Sequence, residues 1–199
     1  MATFDFSEAA ATQLATIDAK FAEGTAGNSR TDGSGVLRCY AGTSLYDFRY
    51  FRYENGHTEI QKSEVASVSG SMGQYTQACI QKTSAQEGYG VRLTGTTIQL
   101  DKNGAYLSDA AFVFDPTTAF TLTLERLASN VIKAYVNGVE RLSTTDGSPL
   151  TGGYPGGRMY CDGTVANAGI TSWSDGVGAT FIASSGLRLN QAINRARTY

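Results

Sequence analysis

The sequence predicts an all-β chain folded as a two-sheet antiparallel sandwich, and three observations carry that expectation. Apolar residues alternate with polar ones in successive short runs, which is the period of a strand with one buried face. The dipeptide Asn-Gly occurs at 55–56, 103–104 and 137–138. It suits two-residue hairpin turns, because both central residues of such a turn take positive φ. Glycine is frequent, at 23 residues, and proline scarce, at 3, as many short strands joined by tight turns require.

Ser7 to Ala22 holds no glycine or proline, and Leu14, Ile17 and Phe21 recur at helical spacing. This predicts a short N-terminal helix. Gly24 to Gly35 has loop composition and leads into a strand at Val36 to Tyr40. In the run Leu45 to Tyr53, alternation puts Tyr46, Phe48, Tyr50 and Arg52 on one face and Asp47, Arg49, Phe51 and Tyr53 on the other. Asn55-Gly56 turns the chain into Thr58 to Val68, and Ser69 to Gly73 breaks it. Strands follow at Tyr75 to Lys82, Gly88 to Leu93, Thr96 to Leu100 and Ala110 to Phe114.

The clearest pattern lies between Ala119 and Asp175. Phe120, Leu122 and Leu124 alternate with Thr121, Thr123 and Glu125; Ile132, Ala134 and Val136 alternate with Val131, Lys133 and Tyr135. Asn137-Gly138 must fold Val139 to Thr145 back antiparallel. A glycine-rich excursion then precedes a closing strand. Thr180 to Ala183 reads as one more short strand, and Leu187 to Tyr199 as a basic tail with Arg188, Arg195 and Arg197. The expected organisation is an N-terminal extension and loop at 1–35, one sandwich domain at 36–183 and a tail at 184–199.

Composition excludes several partners. Lys plus Arg number 16 against 18 Asp plus Glu, with no basic run, so the cationic footprint that nucleic acid demands is missing. No 18 apolar residues run together, so no membrane insertion is expected. The N-terminus lacks the basic-then-apolar order of a signal peptide, which predicts synthesis in the cytoplasm or a mature form whose leader has been left off. Cys39, Cys79 and Cys161 show no metal-ligand spacing and read as buried thiols in preference to a disulfide plus one spare.

Several segments carry a family resemblance. Tyr135-Val136-Asn137-Gly138-Val139, Asp146-Gly147-Ser148-Pro149-Leu150, Gly152-Gly153-Tyr154-Pro155-Gly156-Gly157 and Ile170-Thr171-Ser172-Trp173 follow in an order that resembles the closing half of concanavalin A-like (laminin G-like) jelly-roll domains. Upstream, Gln74 to Ile80 and Gly88 to Leu93 resemble that family's middle strands. The resemblance spans roughly residues 70 to 176 and implies a two-sheet jelly roll. It says little about activity, because the fold hosts lectins, glycanases, lyases and structural modules, among them bacteriophage surface proteins.

Catalytic machinery is not expected. His57, the single histidine, sits beside Asn55-Gly56 as a turn residue, with no G-x-S-x-G elbow to face it. Glycanases of this superfamily carry an E-x-D-x-x-E run, which this chain lacks; Glu54, Glu59 and Glu64 are the nearest substitute, and Glu125 is isolated on a solvent face. The Arg-Glu-Arg strand and Gln-x-His pair of the alginate-lyase branch do not occur either. No metal or cofactor is called for. Asp101 and Asn103 form a calcium candidate, but they lack a downstream bidentate glutamate and the plain Asn-Gly turn is the preferred reading, as a plain turn is for Asp146-Gly147 and Asp162-Gly163.

Aromatic residues supply the candidate glycan site. Thr151 to Gly157 reads as a rim loop presenting Tyr154 on a stiff Pro155, against the plainer reading of a loop crossing the sandwich edge. Tyr50 and Tyr53, with Arg52 beside them, are the other stacking candidates, although packing between sheets is the preferred reading of that strand. Trp173 reads as a packing residue.

The resemblance implies a non-catalytic structural or adhesive protein on a virion surface, a phage capsid-decoration, head-fibre or tail component with glycan-binding capacity. Its partners would be other virion proteins, cell-surface glycans and copies of itself. The alternatives are a free-standing carbohydrate-binding module and, behind it, a polysaccharide hydrolase or lyase.

Overall fold

The computed structural model describes residues 2–24, 29–39, 47–54, 59–68, 76–84, 87–115, 118–161 and 169–176. In chain order the elements are β1 (Thr3–Phe4), α1 (Leu14–Ile17), β2 (Phe21–Glu23), β3 (Ser29–Thr31), β4 (Leu37–Cys39), β5 (Asp47–Tyr53), β6 (Lys62–Ser67), β7 (Thr76–Lys82), β8 (Tyr89–Thr94), β9 (Thr97–Lys102), β10 (Ala105–Ala111), β11 (Thr121–Arg126), β12 (Val131–Val136), β13 (Val139–Thr145), β14 (Tyr154–Cys161) and β15 (Gly169–Asp175). Among the described residues they form two antiparallel sheets. The first runs β13-β12-β11-β6-β15-β4-β3 with β1 added to β15, and the second runs β10-β9-β8-β7-β14-β5-β2.

The period-2 pattern explains why these layers stack. Val65, Leu122, Leu124, Ile132, Ala134 and Ile170 of the first sheet are buried, as are Phe51, Ala78, Ile80, Val91, Leu93, Ile98 and Leu100 of the second. Phe4, Phe21, Phe51 and Tyr53 surround Trp173 with ring centroids 5.4 to 6.1 Å away. Trp173 Nε1 donates to Ser63 Oγ at 3.0 Å, so the indole is buried without leaving its polar atom unpaired.

Two of the three Asn-Gly corners fall on described residues. Asn103 and Gly104 have φ of 52° and 77°, and Asn137 and Gly138 have 51° and 76°, as a hairpin turn with two left-handed residues requires. Gly138→Val puts a β-branched side chain at positive φ and is expected to cost about 1–2 kcal/mol; a urea midpoint equal to wild type would contradict this.

Three expectations are corrected. The helix over Ser7 to Ala22 shrinks to the single turn α1, because Phe6 and Ala11 take positive φ and Phe21 pairs with Tyr53 at the edge of the second sheet. The residues expected as an N-terminal extension supply β1, β2 and β3 to the sandwich. The expected rim loop Thr151 to Gly157 is half strand: from Tyr154 onward it is β14, hydrogen-bonded between β5 and β7. The glycines are there for space. A Cβ on Gly157 would lie 2.7 Å from the Phe51 ring, and one on Gly156 would fall on the Phe51 carbonyl. The turn at Asn55-Gly56, His57, the strand at Thr180 to Ala183 and the tail 184–199 lie outside the described residues.

Candidate functional site

Ladder register sets out two rungs on the face of the second sheet turned away from the core. One rung runs Arg52, Gly156, Cys79, Gly90, Asp101, Tyr106 across β5, β14, β7, β8, β9 and β10. The next runs Tyr50, Arg158, Gln77. Side chains paired in an antiparallel ladder share a face, so a thiol, an amide, two arginines and a carboxylate gather on a floor interrupted by two glycines.

On this floor Cys79, Lys82, Tyr89, Gly90, Asp101 and Arg158 line a shallow crevice that is too tight to admit a water molecule. Although they face away from the core, Gln77, Cys79, Lys82, Asp101 and Arg158 expose only 1–4% of their surface. A Cβ built on Gly90 would lie 3.2 Å from Gln77 Oε1, 3.6 Å from Cys79 Sγ and 3.7 Å from an Arg158 guanidinium nitrogen. Glycine at 90 therefore lets those three groups pack closely over the strand.

Charges crowd the crevice. Asp101 lies 3.6 Å from Arg92 and 3.9 Å from Arg158, longer than the roughly 2.7–2.9 Å of a charge-assisted hydrogen bond. Burial raises the Asp101 carboxyl, against the pull of both arginines. Burial also drives Lys82 down to about 8, helped by the Arg158 charge and opposed by Cys79 and Glu87. The Cys79 thiol is pushed up by the same desolvation. Arg158 Nε donates to Gln77 Oε1 at 2.5 Å.

The sequence candidates fall in different places. Tyr53 is a correction: it is 4% exposed, packed among Phe4, Phe21 and Trp173, because its strand parity points it into the core. Tyr50 is on the outer face but exposes 8%; with Lys82 Nζ 5.0 Å from its ring centroid, it is a wall and no open stacking platform. Arg52 donates to the Thr83 carbonyl at 2.9 Å and pairs with Glu54 at 2.8 Å. Tyr154 is half-buried and pairs with Lys82 in the ladder. Tyr50, Arg52 and Tyr154 thus gather around the Lys82 end of β7, whereas Tyr53 does not. Sequence reading missed Gln77, Lys82 and Arg158. Their only local signal was that Gln77 and Cys79 alternate with Ala78 and Ile80.

Asp101 and Asn103, the calcium candidates, are engaged with other partners. Asp101 faces two guanidinium groups, which would repel a cation, and Asn103 Oδ1 accepts the Gly88 N–H at 2.9 Å. Among the described residues no three His, Cys, Asp or Glu side chains come together to hold a metal. The carboxylates weighed for catalysis have structural partners: Glu59 pairs with buried Arg126 at 3.0 Å, Glu64 accepts from Thr123 at 2.9 Å, and Glu125 accepts from the Tyr135 hydroxyl.

Tyr53 and Tyr89 are each pushed up to about 12 by burial first and then by donating to Asp18 and Asp146. Their folded values lie above the unfolded 10.0, so the stability they bring is fully present below pH 10. It is expected to be lost as pH rises from 10 through 12. Urea midpoints across that window should fall, and Tyr53→Phe should flatten the fall; a midpoint independent of pH there would refute the assignment.

Two stacked antiparallel sheets in this strand order are a concanavalin A-like jelly roll. Among solved structures, the Emp46p carbohydrate recognition domain in its metal-free form superposes with a TM-score of 0.58 at 12% identity, over 86% of this chain and 93% of that one. The exoplasmic/lumenal domain of VIP36 in its Ca2+/Man-bound form matches with a TM-score of 0.57 at 10% identity, over 81% and 85%. The Emp47p carbohydrate recognition domain follows with 0.54 at 12%, over 78% and 87%. At such identities the likeness is one of fold. No protein-family model matches the sequence, and no curated protein matches it.

Proposed function

We propose that this chain is a non-catalytic saccharide-binding protein acting on a virion surface, as a capsid-decoration, head-fibre or tail component. The observation that carries the saccharide half is the polar outer face of the second sheet, where donors and acceptors from β14, β7, β8 and β9 converge around Gly90. A polar, pre-organised face on a rigid sheet is what oriented recognition of hydroxyl-rich ligands needs. Similarity of fold to carbohydrate recognition domains supports the same ligand class. A non-catalytic role is supported by the structural engagement of Glu59, Glu64 and Glu125. The virion setting rests on the sequence resemblance, and exposed Ile60, Tyr106, Val113 and Val139 suit contacts with neighbouring particle proteins.

A glycan array followed by calorimetric titration tests the first half. Saccharide heat is expected, and it should persist under calcium chelation because Asp101 faces arginines. An array without signal overturns the saccharide reading. Co-sedimentation with purified virions tests the second half, and failure to sediment would overturn it.

A further inference from the structure

Among the described residues the two sheets end in four edge strands, β13 and β3 in the first and β2 and β10 in the second. β2 and β3 are three residues long, and β13 carries exposed Glu140 and Arg141. Short length and charge are the usual guards of an open sheet edge. β10 is guarded less. It has seven residues, and its pairing runs on through Phe112 and Phe114, whose N–H groups donate to the Thr96 and Gly95 carbonyls at 2.9 and 3.2 Å. From Ala105 to Phe114 the one charged residue is Asp109. The β10 bulge lies at Leu107, so the ladder is regular from Ser108 to Ala111.

Even and odd positions of this segment do different things. Ala110, Phe112 and Phe114 pack toward the core, where Arg141 lies 5.1 Å from the Phe112 ring centroid and Phe120 meets Phe114 edge-on at 5.0 Å. Asp109, Ala111 and Val113 are exposed, Val113 at 84%. Because the Phe112 and Phe114 amides turn inward, antiparallel alternation sends the backbone N–H and C=O groups of 109, 111 and 113 outward along the open edge.

We infer that this edge pairs antiparallel with the same edge of a second copy of the chain, about a two-fold axis at Ala111. Asp109 then lies opposite Val113 of the second copy, and Ala111 opposite Ala111. All three residues with outward backbone groups find partners, and only methyl groups meet on the axis. Charge selects this register. The two Asp109 carboxylates stand four residues apart along the strands, about 13 Å, beyond the screening length of roughly 10 Å at 0.1 M salt. Moving the axis half a residue toward the C-terminus would place the backbone groups out of phase, and moving it a full residue would set Asp109 opposite Asp115. A full residue the other way would bring the two Asp109 within about 7 Å of each other. The pairing joins two seven-stranded sheets into one, with both polar outer faces on the same side. It stands whether or not those faces bind saccharide.

Sedimentation velocity on the full chain tests this from about 1 to 300 µM, the range suited to an interface below roughly 1,200 Å². A monomer–dimer equilibrium is expected. Val113→Asp sets like charges opposite each other twice, and Val113→Lys sets opposite charges there twice. The first should weaken the dimer about two- to thirtyfold and the second should tighten it by a similar factor. Both effects should fade in about 1 M salt, where the screening length is roughly 3 Å. Ala111→Pro removes an N–H that points away from β9, so the chain should fold while the dimer is lost; circular dichroism and the urea midpoint check the fold.

A chain that stays monomeric throughout the range overturns the inference. So does a trimer or open-ended polymer, because a two-fold contact closes at two copies. A dimer in which the two Val113 variants fail to move in opposite directions, or one that a folded Ala111→Pro chain still forms, belongs to another surface and equally overturns it. The glycan array reads the saccharide proposal separately, since none of these variants touches Gln77, Lys82 or Arg158.

Discussion

Trp173→Ala is expected to cost about 3–5 kcal/mol, the range for emptying a large aromatic site. Set against a total stability of roughly 5–15 kcal/mol for a domain, this removes a large share or all of the margin. The indole is the hub of the sandwich: it is 1% exposed, stacks on Phe4 of β1, and meets Phe21 and Phe51 edge-on at 5.7 Å. Those rings come from β1, β2 and β5, so the cavity would open where the two sheets meet. Trp173→Phe keeps ring contact and loses the bond to Ser63 Oγ, and should cost clearly less. Urea unfolding followed by far-ultraviolet circular dichroism decides the matter. An alanine variant with an unchanged midpoint would mean that Trp173 is not in the core.

Gly156→Ala should be nearly as damaging, by at least about 3 kcal/mol, at the upper end of overpacking penalties. The added methyl would fall on the Phe51 carbonyl and lie 2.9 Å from Arg52 Cα. Both are backbone atoms of the neighbouring strand and cannot rotate aside, so β14 would have to separate from β5. Gly147→Ala is the natural control. Nothing lies within 4 Å of a Cβ there, and the change should be neutral or stabilise by about 0.4–1 kcal/mol through the unfolded chain. Equal melting of the two variants would show that β14 is not held as described.

What the sequence disclosed follows from which forces are local. Phe120, Leu122 and Leu124, and then Ile132, Ala134 and Val136, reveal their buried face through spacing alone, and Asn103-Gly104 and Asn137-Gly138 reveal their turns through φ. The glycines of β14 looked like loop because their need is tertiary: the Phe51 ring and carbonyl fill the space, and Phe51 is remote in sequence. Leu14, Ile17 and Phe21 fit a helix by spacing, but the packing of Phe21 against Tyr53 and Trp173 outweighs propensity. The crevice was least legible of all, since Gln77, Gly90, Asp101 and Arg158 meet only once four strands are in register. Tyr50 and Arg52 were placed on the correct face by parity, and burial then closed the platform expected of Tyr50.

The pairing of β1 with β15 sets a condition on biosynthesis. The Ala2 amide reaches Asp175 across a sequence separation of 173 residues, and Thr3 lies opposite Ser174. At roughly 5–20 residues per second of translation, the first strand must wait on the order of ten to thirty seconds for its partner to leave the ribosome. Phe4 and Phe6 spend that interval without the aromatic pocket and core that bury them, a window in which a nascent-chain chaperone would have a binding segment to hold.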